Sequence, residues 1–179
     1  IKIIMETKPD GKTDTALHLP VLQLPFNGRV DAVSSQGSLS GNSERMIFKN
    51  AVIGKGAEFS RHGYDARSVM TLELAGGALN APELSGGFFF ILKADSKDDN
   101  LRGLLSCAAG GNLWNITRRG KVLTLTVSDG KNTDQISAPL PASADKEFIH
   151  IAFGYGKGKL FLAFDGKEVA AKPMTFVMT

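Results

Sequence analysis

Residues 147–169 constrain the fold more than any other part of the chain, because their side chains alternate in character. In residues 148–153 the odd-numbered positions are Ile or Phe, and in residues 160–164 the even-numbered positions are Leu or Phe. Alternation with a period of two is typical of a strand with two distinct faces. Glycine-containing turns at 155–159 and 165–166 supply the positive-φ positions that hairpins need. The segment therefore predicts a three-stranded antiparallel meander.

Similar runs recur along the rest of the chain, separated by turn residues, at a spacing typical of an all-β sandwich. A strand at 57–60 is expected to pair with 45–49. We expect further strands at 21–26, 68–74, 86–93, 103–108, 112–117, 121–128 and 133–138. No helical period of useful length is present, and only 143–146 could form a single turn. Ile1–Met5 could form a short strand.

Composition excludes several classes of protein. The chain has 179 residues, enough for one domain with a sizeable core. Its net charge is +3 and its basic residues are scattered, so it lacks the basic patch of a nucleic-acid-binding protein. The longest apolar run, 88–92, is too short to cross a bilayer. The single Cys107 excludes an internal disulfide and is expected to be a buried thiol.

A family resemblance lies in the same meander. Residues 148–169 are similar to the W-x-H-V-A-x-x-Y-x-G-G-x-L-x-L-Y-V-D-G-K-x-V signature of bacterial laminin G-like (LamG) domains of the concanavalin A-like lectin/glucanase superfamily. Phe148 stands where the family has Trp, and residues 51–59 resemble its G-K-x-G-x-A-x-x-F element. The positions that match the signature are His150, Tyr155, Gly158, Leu160, Leu162, Asp165, Gly166, Lys167 and Val169. The resemblance implies an all-β, two-sheet antiparallel jelly-roll sandwich.

The resemblance covers residues 22–171 and sets the expected domain organisation. We expect residues 1–19 to be an N-terminal extension or linker and residues 20–179 to be the jelly-roll domain. Family members continue further after the matching hairpin, with a strand that closes the sheet. Here 174–178 is the expected closing strand; residues 1–7 could take its place, or the chain could be incomplete. An unfilled position would leave an open sheet edge, through which another chain could pair.

Catalysis is not expected. Sandwiches that cleave polysaccharides use two carboxylates a few ångströms apart, and related glucanases present them as E-x-D-x-x-E. That motif is absent. The nearest carboxylate pairs lie in turns or at strand ends, where solvated charge is the ordinary interpretation: Asp98 and Asp99, Asp145 and Glu147, and Asp165 and Glu168. The chain is therefore predicted not to be an enzyme.

A polar loop at 61–65 is a candidate binding site. Sugar sites combine a planar amphipathic surface with directed hydrogen bonds. The loop offers donors, an acceptor and a ring through Arg61, His62, Tyr64 and Asp65. The alternative is an ordinary surface loop, since such composition is common.

Two further residues are candidates for ligand binding. Trp114 is the only tryptophan and the strongest candidate for a stacking platform, although a partly buried core position is the alternative. His150 lies on a strand, where a histidine is usually a hydrogen-bonded structural residue. The Arg118–Arg119 pair is expected to be surface charge that could meet an acidic glycan.

The resemblance also implies a calcium site. LamG-like domains often bind Ca²⁺ at the rim through an Asp and carbonyl oxygens, the hard ligands that this ion prefers. Asp31 matches the early Asp of the family, and Asn27 could lend an oxygen. The alternative is an Asx turn that caps the loop.

These observations predict a non-catalytic recognition or adhesion module, with a glycan as the first expected ligand. The family resemblance implies that it belongs to an exported or cell-surface protein. One alternative is a structural or assembly module that binds protein through a sheet edge or a concave face. A second is a degenerate polysaccharide hydrolase or lyase.

Overall fold

The structure, a computed structural model, describes residues 82–92, 99–109 and 111–178 together with the backbone of eight short strands that precede them. The chain forms two compact units, residues 1–76 and residues 77–179. In the described residues no helix is long and apolar enough to cross a membrane.

The described part of the first unit consists of short antiparallel strands. Successive pairing joins β1 to β2, β2 to β3 and β3 to β4, whereas β5 pairs with β8 and β6 with β7. The predicted pairing of 45–49 with 57–60 is confirmed, since Phe48 lies opposite Ala57. The strands are β1 (Ile4–Glu6), β2 (Leu22–Gln23), β3 (Asp31–Ser34), β4 (Gly37–Ser40), β5 (Asn42–Glu44), β6 (Ile47–Asn50), β7 (Lys55–Glu58) and β8 (Val69–Thr71).

The second unit contains two four-stranded antiparallel groups. One has the order β16-β15-β14-β9 and the other the order β10-β11-β12-β13. A short 3₁₀ helix, Ala142–Asp145, lies between β13 and β14 where a single turn was predicted. The strands are β9 (Leu84–Phe90), β10 (Leu101–Ala109), β11 (Asn112–Arg119), β12 (Val122–Ser128), β13 (Thr133–Pro139), β14 (Ile149–Gly156), β15 (Lys159–Phe164) and β16 (Lys167–Pro173).

The predicted meander is present as β14, β15 and β16, joined by two tight turns. Lys157 and Gly158 have φ values of 48° and 74° in the first turn, and Asp165 and Gly166 have 49° and 81° in the second. Two successive positive-φ residues define the type I′ turn, whose twist matches that of the flanking strands. The glycines of the sequence motif therefore fix both hairpins.

The core of the second unit lies between its two sheets. Leu123, Leu125 and Val127 of β12 are fully buried, as the alternation predicts. The rings of Trp114 on β11 and Phe153 on β14 lie 5.4 Å apart, so the inner faces of the two sheets are in contact. The predicted fold class, an all-β sandwich of two antiparallel sheets, is confirmed.

The predicted closing strand at 174–178 is wrong. The last strand ends at Pro173, and residues 174–178 lie outside any strand. Their contacts explain why: the Met174 amide donates to the Gly158 carbonyl, and Thr175 binds Asp134 through its amide and its hydroxyl. Met178 is buried. Individual hydrogen bonds to Gly158 and Asp134 therefore replace strand pairing at this end of the second unit.

Candidate binding surface

The outward side of the sheet formed by β10, β11, β12 and β13 is a regular array of side chains. On β12 the buried residues are 123, 125 and 127, so 122, 124, 126 and 128 point away from the core. The strand register continues this pattern across the sheet. It sets out four rows: Leu101, Arg119, Val122 and Pro139; Gly103, Thr117, Thr124 and Ser137; Ser106, Asn115, Thr126 and Gln135; and Ala108, Leu113, Ser128 and Thr133. We call these sixteen residues the polar face.

The polar face is almost free of charge. Its two central rows consist of hydroxyl and amide side chains apart from Gly103, and Arg119 is the only charged residue among the sixteen. Solvent-facing sheet surfaces usually include charged side chains, because Lys, Glu, Asp and Arg are mostly exposed in proteins. A neutral hydroxyl and amide surface of this extent suits a neutral polar ligand better than an ion.

Some of the polar groups on this face bind one another, and one has no partner within the described part of the chain. Thr124 Oγ1 and Ser137 Oγ lie 2.8 Å apart across β12 and β13. At the end of the face, Ser128 Oγ donates to the Asn132 carbonyl. Asn115 Oδ1, in the row between Ser106 and Thr126, is buried and accepts no hydrogen bond from any residue that the structure describes. An unsatisfied buried acceptor costs about 1–3 kcal/mol, which a ligand donor would offset if the amide turned toward it.

Trp114 does not form the exposed stacking platform that was predicted. Its side chain is only 3% exposed, since it points inward from β11 and packs against Phe153. The core position, the alternative that the sequence left open, is the one observed. Its indole Nε1 is buried and donates to no acceptor among the residues described here by the structure.

His150 lies on the face of β14 that points away from the core of the second unit. Its ring lies 5.0 Å from the ring of Phe89, and a methyl group at Gly87 would come within 2.7 Å of its Nε2. The ring therefore occupies space that a side chain at Gly87 would otherwise fill. The His150 amide donates to Asp165 Oδ1, and the Asp165 amide donates back to the His150 carbonyl. These contacts fit the structural role, and a role in binding stays a prediction.

The structure does not describe the side chains of the remaining predicted site residues. Arg61, His62, Tyr64, Asp65 and Asn27 lie outside the described residues, and Asp31 is described only as the first backbone position of β3. Within the part of the chain that the structure describes, no group of three or more potential metal ligands is present. The loop site and the calcium site therefore stay predictions.

The predicted surface pair of arginines divides between the two faces of β11. Arg119 is exposed, as expected, but Arg118 points inward, is buried and donates from its guanidinium to the Gly120 carbonyl at 2.6 Å. The prediction that both arginines lie on the surface was wrong for Arg118, because neighbouring residues on a strand face opposite sides. Only Arg119 is available to a ligand on the polar face.

Burial shifts the pKa of two titratable groups of the second unit, Cys107 and Tyr155. Cys107 is half-buried rather than fully buried, and burial raises the pKa of its thiol. Burial and the neighbouring Cys107 together raise the pKa of Tyr155 to about 12. Both groups therefore stay neutral at physiological pH, which favours packing over reactivity.

Carboxylates from the predicted pairs make separate structural contacts. Asp165 caps the β14 backbone at His150, Glu168 lies 2.7 Å from Lys159, and Asp145 lies 3.7 Å from Lys121.

Asp129 caps the turn between β12 and β13. Its pKa is lowered, first by hydrogen bonds from Asn132 and then by the Lys131 amide, which fits this turn-capping role.

The polar face was not identified from the sequence, although its signal is present there. In the runs 122–128 and 133–139, Thr, Ser or Gln alternate with residues that are apolar apart from Asp134. The rows form only when the register aligns the strands, which the sequence alone does not state.

Comparison with known proteins establishes the fold alone. No family model matches the sequence, and no curated protein matches it. The binding domain of botulinum neurotoxin DC, solved with rat synaptotagmin II, is similar with a TM-score of 0.70 at 13% identity, over 87% of this chain and 39% of that chain. A structure of botulinum neurotoxin type C, whose cell entry depends on interaction with two ganglioside molecules, gives 0.70 at 12% identity, over 87% and 39%.

The receptor-binding domain of botulinum neurotoxin type G is similar with a TM-score of 0.59 at 11% identity, over 88% of this chain and 40% of that chain. This chain therefore spans about two-fifths of the length of these structures. They are β-rich binding domains at low sequence identity, so they support the sandwich. The LamG-like family itself stays a prediction.

Proposed function

We propose that this chain is a non-catalytic recognition module that binds a glycan through the polar face and acts outside the cytoplasm. The observation that carries the proposal is the register of β10, β11, β12 and β13, which aligns neutral hydroxyl and amide side chains in rows. Sugars present dense hydroxyl groups, each both donor and acceptor. Ser, Thr, Asn and Gln side chains are matched partners for such groups.

The strands that carry these side chains lower the entropy cost of binding a ligand at such a site. Threonine is stiff about χ1, so Thr117, Thr124 and Thr126 lose little side-chain freedom when a ligand binds. Beneath them the fully buried Leu123, Leu125 and Val127 hold β12 in place. Because strand positions are rigid, the polar groups keep a fixed spacing of about 4.8 Å across strands and about 7 Å along them.

The similar structures support a binding function in general terms. One of those proteins was solved in complex with rat synaptotagmin II, and the cell entry of another depends on two ganglioside molecules; both share the sandwich with this chain. Fold likeness does not transfer a ligand. It does agree with an external recognition module more readily than with an enzyme. A calcium ion held by Asp31 and Asn27 and pairing through a sheet edge are compatible with this proposal.

The proposal is tested by screening the 179-residue protein on immobilised neutral and acidic oligosaccharides and then measuring affinities by calorimetry. Thr126→Val removes one central hydroxyl while conserving volume, and Asn115→Ala removes the amide whose Oδ1 has no partner among the described residues. We expect each variant to weaken binding about tenfold, equivalent to about 1.4 kcal/mol, since each removes one or two ligand hydrogen bonds.

His150→Ala, on the other sheet, serves as the matched comparison, with thermal unfolding of all three variants as the check on folding. We expect it to leave affinity unchanged. Loss of binding in His150→Ala but not in Thr126→Val would move the site to the other sheet. The absence of binding to every oligosaccharide would overturn the proposal.

A further inference from the structure

The first row of the polar face differs from the others. Leu101, Arg119 and Val122 lie side by side on β10, β11 and β12, because Arg119 pairs with Leu101 on one side and with Val122 on the other. Leu101 is 60% exposed and Val122 is 43% exposed. A guanidinium group therefore stands between two exposed aliphatic side chains, at the end of a surface that is otherwise uncharged.

Arg119 makes no hydrogen bond or ion pair with any residue that the structure describes. Two neighbouring basic side chains bind other groups. Lys121 approaches Asp145 at 3.7 Å, and Arg118 is turned inward against the Gly120 carbonyl. Asp99 Oδ1 lies against Gly120, the residue after Arg119, 2.8 Å from where a side chain there would begin. Among the described residues, none occupies the Arg119 guanidinium in place of an anion from outside.

We propose that this row binds a carboxylated sugar residue whose apolar substituent rests on Leu101 and Val122, while the following sugar reaches the hydroxyl rows. The inference rests on the proposed function and specifies its ligand class. A guanidinium binds a carboxylate through two parallel hydrogen bonds. One positive charge on a neutral surface selects a ligand with one negative charge on a neutral body.

The spacing of the rows supports a ligand longer than one sugar. Thr117 and Thr124 lie in the row next to Arg119, two residues along their strands and therefore about 7 Å away. Ser137 continues that row on β13. An acidic terminal sugar on Arg119 would thus place its neighbour over these hydroxyl groups. The mixed aliphatic and charged row supplies the specificity, and the neutral rows supply the remaining affinity.

The test compares 3′-sialyllactose with lactose, which lacks only the acidic sugar, by calorimetry on the full chain. We expect at least tenfold tighter binding of 3′-sialyllactose. In Arg119→Gln this preference should disappear while lactose affinity stays the same, and Arg119→Lys should retain part of it. Lys167→Gln removes the same charge from an exposed position of the other sheet and should have no effect.

The outcomes distinguish failure of this inference from failure of the proposed function. Equal affinity for the two sugars, with lactose binding still weakened by Thr126→Val, would overturn this inference and leave the proposed function standing. A preference that survives in Arg119→Gln would place the carboxylate elsewhere and also overturn it. Binding of neither sugar would overturn the inference and count against the function from which it follows. Leu101→Thr should lower affinity for 3′-sialyllactose several-fold without affecting lactose.

Discussion

Asp134 ties the two sheets of the second unit together through one buried carboxylate. It points inward from β13, is 3% exposed, and lies 2.6 Å from Lys172 on β16. Its other oxygen accepts hydrogen bonds from the amide and hydroxyl of Thr175, at 2.7 and 2.9 Å. A buried charge is tolerated only when it is paired and hydrogen-bonded in this way.

The Asp134 contacts predict a specific pH dependence of stability. Burial alone would raise the pKa of Asp134, but hydrogen bonds from Lys172 and Thr175 and the charge of Lys172 outweigh it, so the pKa is lowered from its ordinary value of 3.8. A carboxyl with a lowered folded-state pKa stabilises the fold above its unfolded pKa, and this contribution disappears as the pH falls through the folded pKa. Asp134→Asn should therefore cost about 2 kcal/mol at pH 7 and progressively less below about pH 4.

Urea unfolding at pH 7 and at pH 3 measures the difference between the wild type and Asp134→Asn. Glu168→Gln is the matched control, because its partner Lys159 is exposed and the pair should be worth less than about 1 kcal/mol. A difference between the wild type and Asp134→Asn that is the same at both pH values would contradict the assigned role of Asp134.

Individual residues were the hardest features to predict from the sequence. Asp134 lies in a run with an ordinary alternating pattern, and its partners Lys172 and Thr175 are about 40 residues away in sequence. Trp114 was ambiguous for a related reason, because an aromatic on a strand suits either face until the register is known. Contacts between sheets determine both outcomes, and local patterns do not encode them.

At the level of elements, the turn at Lys157 and Gly158 offers a direct test of the hairpin geometry. Both residues have positive φ, which glycine adopts freely and Lys adopts at a cost. Lys157→Asn should stabilise the protein by about 0.5 kcal/mol, because Asn tolerates this conformation and Asn-Gly favours a type I′ turn. Gly158→Ala should destabilise it by about 1 kcal/mol.

Thermal and urea unfolding check both turn variants, and Lys131→Asn is their control. Lys131 lies in another exposed turn but is not among the positive-φ residues, so its substitution should change stability by less than about 0.5 kcal/mol. A stabilisation by Lys131→Asn equal to that by Lys157→Asn would show that the effect is unrelated to φ.

Strands and hairpins were largely predictable, and the reason is local. The apolar alternation of 148–153, 160–164 and 121–128 and the glycines of the turns are properties of short segments, and the structure reproduces them as β14, β15 and β12. The prediction of a strand at 174–178 was wrong because a short apolar run resembles a strand. Anchoring by Asp134 and by the Gly158 carbonyl fixes it instead. The polar face likewise depends on register between strands.

At the scale of the second unit, the contacts predict an order of opening that hydrogen exchange can measure. In the sheet of β10 to β13, β11 and β12 each pair on both sides, whereas β10 and β13 lie at the ends. End strands normally exchange first. However, β13 is fastened to Lys172 and Thr175 through Asp134, while β10 has an irregular register between Gly103 and Leu105. We therefore expect hydrogen-bonded amides to exchange fastest in β10, more slowly in β13 and slowest in β11 and β12.

This order depends on one side chain, which makes it testable by a single substitution. In Asp134→Asn the paired amides of β13 should exchange at rates close to those of β10, because the attachment to β16 is weakened. The amides of β10 do not depend on that attachment and should change only as far as global stability changes. Amide-resolved exchange in the wild type and the variant separates the two effects. Equal acceleration in all four strands would mean that Asp134 supports only global stability, and that the ends of the sheet do not open independently.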